Sequence, residues 1–178
     1  MIADEKRLRK QIRNWVLFFI VFLILSGITA FAVETELAWL TKNHSFLPIS
    51  IRIWLDKVYM AIQHTNKLYP FLAYGTDWLA FAHLVIAVVF IGLLTHPVRN
   101  IWCIEFGMIA CLMVIPLALI AGHIRQIPFF WRIIDCSFGI IGFVPLFLCF
   151  RKIKKLERMF THHSTRRQHQ KDADIAAQ

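Results

Sequence analysis

The chain has 178 residues, 58% of them hydrophobic and only 17% charged, with a formal net charge of +9 and a mean hydropathy of +0.57. Soluble domains lie nearer half apolar and a quarter charged. Residues 14–33, 76–95, 101–121 and 131–150 hold just Asp77, Glu105, Arg132 and Asp135 out of 20 basic and 11 acidic side chains, which excludes a soluble enzyme, a disordered chain and a secreted disulfide scaffold.

Residues 1–13 form a basic N-terminus with Lys6, Arg7, Arg9, Lys10 and Arg13. The first span, 14–33, contains an uncharged run from Trp15 to Val33. At ~1.5 Å per residue it crosses a hydrocarbon core of ~30 Å. A secretory signal is the rival reading, with Thr29-Ala30-Phe31-Ala32 as a weak cleavage-site mimic. Its apolar run exceeds the roughly 7–15 residues of a signal core, so an uncleaved span is expected.

Residues 34–75 are too many for a bare connection. Between Pro48 and Pro70, the residues Ile51, Leu55, Val58, Ile62 and Tyr69 share one helical stripe. Asp56, Lys57, Gln63, His64 and Lys67 mostly fall away from it, which predicts an amphipathic helix over about 50–68. Such a helix lies flat at the outer interface, folds over the bundle as a lid, or docks a partner. Residues 34–47 are expected to form a short helical turn and loop.

The second span is 76–95, followed by a cytoplasmic turn at 96–100 and a third span at 101–121. An outer loop, 122–130, leads to the fourth span, 131–150, and a basic cytoplasmic tail, 151–178. The predicted fold class is an all-α integral membrane protein: a four-transmembrane-helix bundle with an extra amphipathic helix on the outer (non-cytoplasmic) side. Lys152 to Met159 is expected to continue the fourth helix, and the polar remainder to be disordered.

With both termini inside, the inner segments carry 14 of the 20 Lys and Arg and the outer segments six. Positive-inside bias therefore places both termini in the cytoplasm. A bacterial inner (plasma) membrane fits, although a protein of the endoplasmic reticulum shows the same bias. The excess charge is explained by this retention and by attraction to anionic headgroups. No recognition motif accompanies it, so nucleic acid is not an expected partner. Membrane lipids, another membrane protein or a second copy of the chain are.

Ionisable groups inside a bilayer cost ~2.5–3.5 kcal/mol at a helix centre and are candidate functional residues by default. Asp77 opens the second span, where it complements the helix dipole with Thr76 as N-cap. Arg132 and Asp135 are three apart and read as an internal ion pair. Glu105 is shallow on the inner side, a candidate inner-leaflet polar site, where it snorkels or meets Arg99 or Lys152. His83 lies ~10 Å below the outer boundary, within ~4 Å of the depth of Asp135. It either bonds a neighbouring carbonyl or pairs with Asp135 across helices two and four. With His123 and Arg125 at the outer mouth, Asp77, His83, Arg132 and Asp135 are the candidate lining of an outward-facing cavity. Its two arginines suit a lipid-like or anionic small molecule. His44 and His64 approach from the outer segment.

No cofactor is expected. A haem wants two histidines at matched depth, whereas His83 and His123 differ by roughly 10 Å. A metal lacks HxxxH or ligand-type cysteine spacing, and Cys103, Cys111, Cys136 and Cys149 read as small apolar side chains. Ser26, Gly27, Ala30, Gly107, Cys111, Cys136, Gly139 and Gly142 supply small faces for close helix approach. Pro116 and Pro145 are candidate kinks in the third and fourth helices. No catalytic motif is present. The first functional expectation is thus a non-catalytic accessory, assembly or interaction subunit. Ligand binding or transport in the outer cavity, and a membrane enzyme using His83 and Asp135 as acid and base, are the alternatives.

Overall fold

In a computed structural model, residues 2–176 are described, with side chains over 4–161. Every regular element among them is helical: α1 (Ile2–Phe31), α2 (Val33–Lys42), α3 (Ile49–Leu68), α4 (Tyr74–Thr95), α5 (Ile101–Ile124) and α6 (Phe129–Ala176). Short 3-10 turns, His44–Phe46 and Pro70–Ala73, flank α3. Four helices are long and apolar enough to cross a membrane, over Asp4–Phe31, Pro70–Thr95, Ile101–Ile124 and Phe129–Thr161. The chain divides into two compact units, residues 1–20 with 89–178, and residues 21–88.

The first unit is built on close helix pairing. A Cβ added at Gly139 would lie 2.5 Å from the Cys111 carbonyl oxygen, one at Gly107 2.9 Å from Leu146, and one at Gly122 2.7 Å from Arg132. Positions in α5 thus fall as their partners in α6 rise, so the two helices run antiparallel. Pro116 and Pro145 lie inside these helices, which continue through them. The loop between the two closes as a Schellman-type end. The Ile127 amide donates to the Gly122 carbonyl at 2.9 Å and the Gln126 amide to His123 at 3.0 Å. Gln126 takes the left-handed position with φ 57°. At the other end of α5, Asn100 Nδ2 donates to the Gly92 carbonyl at 2.7 Å, fixing the turn from α4.

The start of α1 joins the same unit. Leu8, Ile12, Val16 and Phe19 form a buried stripe at helical spacing, and the Phe19 ring lies 4.8 Å from that of Phe90. Lys152 donates to Gln11 Oε1 at 2.7 Å, and the Arg9 guanidinium sits 5.3 Å over the Phe160 ring. The basic segment is therefore helical from Ile2 and, over the residues with described side chains, packed against the start of the tail, with Ile153 and Leu156 fully buried. The helix of the tail also differs from expectation. It runs on to Ala176 instead of giving way to disorder after Met159. Residues 160–176 contain no Gly or Pro, and extending an existing helix avoids the unfavourable nucleation step. The side chains of Arg166, Arg167 and Lys171 lie outside the described residues.

The second unit holds the end of α1, then α2, α3 and most of α4. A Cβ at Gly27 would lie 2.9 Å from the Ala80 carbonyl oxygen, so α1 and α4 approach backbone to backbone there. Segment 34–47 is more regular than the turn and loop expected. Glu34 and Glu36 in the first turn and Lys42 in the last complement the dipole of α2 at both ends. Asn43 Nδ2 then donates to the Trp39 carbonyl at 2.9 Å. α2 packs along α3, and His44 Nε2 meets Asp56 Oδ1 at 2.8 Å. Along α3, Leu55 is buried and Ile51, Val58 and Ile62 are half-buried, while Ile53 and Met60 on the other side are exposed.

Candidate functional site: an acidic cavity

The second unit contains a cavity of about 420 Å³. It forms because α1 stops at Phe31 and the chain turns at Ala32 directly into α2, while α3 returns past this junction and the 3-10 turn leads into α4. Four chain segments thus present small or short side chains to one space. Phe31, Val33, Ile62 and Leu72 form its apolar wall, with Ala30, Ala61 and Ala73 leaving room. Thr35, Thr65, Asn66 and Thr76 supply neutral polar groups, and Glu34 and Asp77 supply charge. Among the described residues, no lysine or arginine lines it.

Each carboxylate stands in the first turn of its helix, α2 for Glu34 and α4 for Asp77. The unpaired amides there stabilise negative charge by about 0.3–1 kcal/mol. Asn66 Nδ2 also donates to Glu34 Oε2 at 2.6 Å, tying the end of α3 to the start of α2. Both groups are half-buried. The arrangement has two anionic acceptors beside hydroxyls and an apolar wall. It is suited to a cation or a hydrogen-bond donor attached to a hydrocarbon body.

Asp77 is the sequence-selected residue that lines this cavity. Its expected N-cap is not Thr76, because α4 already begins at Tyr74. His83, in the same unit, meets the Leu79 carbonyl of its own helix with Nδ1 at 2.8 Å. Since a carbonyl only accepts, Nδ1 carries a proton in this contact.

The remaining candidates lie in the first unit. The internal pair expected of Arg132 and Asp135 does not form among the described residues. Gly122 leaves a groove that the Arg132 stem fills. The guanidinium is thereby led to the Leu119 carbonyl, 3.4 Å from Nη1, and over the Phe129 ring at 5.3 Å. Its Nε is buried without a partner. Asp135 is half-buried, whereas His123 and Arg125 are exposed at the end of α5. Glu105 is exposed and pairs with neither Arg99 nor Lys152 among the described residues; Lys152 is engaged by Gln11.

All four cysteines are free. Cys103 and Cys136 face the carbonyls of Val89 and Ile115 across helix contacts, at 3.9 and 4.0 Å. Among the described residues, no group of three or more His, Cys, Asp or Glu is arranged to hold a metal ion. Sequence reasoning missed Glu34, Thr65 and Asn66. The available signal was an acidic pair, Glu34 and Glu36, immediately after a span and a polar Thr65-Asn66 step at the end of an amphipathic pattern. No family model, no curated protein and no solved structure matches this chain, and any role rests on its own side chains.

Proposed function

We propose that the protein is a non-catalytic multi-pass membrane protein that binds an amphiphile with a cationic or hydrogen-bond-donating head. The observation that carries this reading is the cavity holding Glu34 and Asp77 against an apolar wall, with no lysine or arginine in the lining among the described residues. The charge of the lining reverses the ligand expected from Arg125 and Arg132, which lie in the other unit.

The four long apolar helices are read as transmembrane. Exposed side chains such as Met113 (64%), Leu117 (65%) and Ile120 (64%) on α5 support lipid contact. The Lys and Arg bias supports a cytoplasmic position for both termini. The cavity then opens toward the outer face. There α3 lies in the interface as the amphipathic helix, with Ile53 and Met60 toward lipid.

An accessory or assembly role is the lesser reading. It rests on the small size of the chain, its small-residue faces, the amphipathic segment and the lack of a catalytic motif. Gly27, Gly107, Gly139 and Gly142 instead meet neighbours of their own unit within 3.0 Å of an added Cβ.

The test is direct. The protein is reconstituted in nanodiscs and titrated with alkylammonium and alkyl sulfate probes of equal chain length. Preference for the ammonium probe, lost in Glu34→Gln with Asp77→Asn, is the expected result. Equal affinity for both probes would sink the proposal. Reporter fusions at the two termini check their cytoplasmic placement independently.

A further inference from the structure

A second cavity, in the first unit, has the opposite charge. About 320 Å³ in volume, it lies between the start of α1 and the end of α4. Lys6, Arg9, Lys10 and Arg13 line it. Their spacing of three, four and seven residues puts all four on one face of α1. Over those residues the helix rises ~10 Å, so the charges form a short row. Leu93, Leu94 and Pro97 form the opposite, apolar side. Among the described residues, no acidic side chain lines this space.

Arg9 is already committed, to Glu5 at 2.9 Å and to the face of Phe160. Lys6, Lys10 and Arg13 form no ion pair among the described residues. Three unpaired cations along one wall of a cavity repel each other, and an anion between them relieves that repulsion. The neighbouring buried stripe of Leu8, Ile12 and Val16 fixes the rotation of α1, so the row stays on the cavity side. The four basic side chains are exposed, but neither general solvation nor positive-inside retention requires a concave groove with an apolar side.

We propose that this cavity is a binding site for the headgroup of an anionic phospholipid. The phosphate lies among Lys6, Lys10 and Arg13, and the start of the acyl chains rests on Leu93, Leu94 and Pro97. Basic pockets between membrane helices on the cytoplasmic side recognise such headgroups. The apolar side selects a lipid over free phosphate, which offers nothing to it. The site rests on the transmembrane placement proposed above, with the N-terminus inside, but not on the acidic cavity.

The probes are phosphatidylglycerol and phosphatidylcholine of identical chains, with retention read by native mass spectrometry of the full chain released from nanodiscs. The expected result is selective retention of phosphatidylglycerol. At roughly fivefold per cation, Lys6→Gln, Lys10→Gln and Arg13→Gln together weaken retention about a hundredfold. Because those changes also alter the charge bias that orients the chain, Leu94→Trp is the second variant. It fills the apolar side and leaves every charge in place. Loss of selective retention in Leu94→Trp supports a site. Unchanged retention there, or equal retention of both lipids by the parent protein, overturns it and leaves only diffuse surface attraction. Displacement of the lipid by millimolar inorganic phosphate would overturn the lipid as occupant. A chain that does not assemble into nanodiscs would defeat the membrane placement itself, an outcome separate from lipid indifference.

Discussion

The two units solve the problem of apolar helices differently. In residues 1–20 with 89–178, Gly107, Gly122 and Gly139 let neighbours approach until an added Cβ would strike them, a device that residues 21–88 share at Gly27. A cavity of the first unit lies at the basic start of α1, lined by four cations. In residues 21–88, three short connecting turns and the ten-residue α2 interrupt the packing. They leave a larger cavity, walled by alanines and threonines and carrying two carboxylates. Long uninterrupted helices thus close their seam and keep charge at the end. Broken helices expose first-turn amides inside the unit, and carboxylates settle there because the dipole favours them.

The strongest challenge to this contrast is Gly139→Leu. A side chain directed at the Cys111 carbonyl, 2.5 Å from the added Cβ, is expected to destabilise the first unit by about 3 kcal/mol, at the upper end of overpacking costs. Unfolding in mixed micelles should show it. Gly75→Ala is the counterpart in the second unit, where an added Cβ meets nothing within 4 Å. It should be neutral or stabilise by about 0.5 kcal/mol, since Gly is a poor helix former. Equal damage from the two would erase the distinction.

Asn66→Ala tests whether the acidic cavity is held open by its clamp. Glu34 would lose a charge-assisted hydrogen bond of 2.6 Å, at about 1.5–3 kcal/mol where solvent is excluded. Glu34 is half-buried, so about 1.5 kcal/mol is expected, with a matching drop in affinity for the alkylammonium probe. Lys152→Met asks the same of the basic end. Removing its bond to Gln11 should cost about 1 kcal/mol and leave that probe unaffected. The smallest effect should come from Gln126→Gly. The left-handed residue at φ 57° is strained for an L side chain, and glycine should raise stability by up to about 1 kcal/mol. A lower thermal midpoint would contradict it.

Four membrane-length helices were legible because apolar runs of about 20 residues carry their own signal. α3 was readable for a related reason. Of its expected stripe, Leu55 is buried and Ile51, Val58 and Ile62 half-buried, whereas Tyr69 falls beyond the helix end and is exposed. The helical stripe Leu8, Ile12 and Val16 was hidden by the five bases around it, and α2 by its small size. The candidate site was less readable still. Asp77 stood out as a charge in an apolar window, but Glu34 and Asn66 lie 32 positions apart in segments that look like polar loop. Arg132 and Asp135 had the spacing of an ion pair. The space left by Gly122, ten residues earlier in sequence, led the arginine elsewhere.

Composition and the placement of 31 charges by themselves determined a helical chain with four membrane-length segments, because length and hydropathy are local properties that each segment carries alone. The sign of each cavity was decided only by tertiary structure. A side chain's sequence position gives its charge and its depth. Which other charges face it depends on where glycines allow contact and where short turns prevent it. The net +9 therefore says nothing of the two carboxylates that the fold of residues 21–88 gathers into one acidic space.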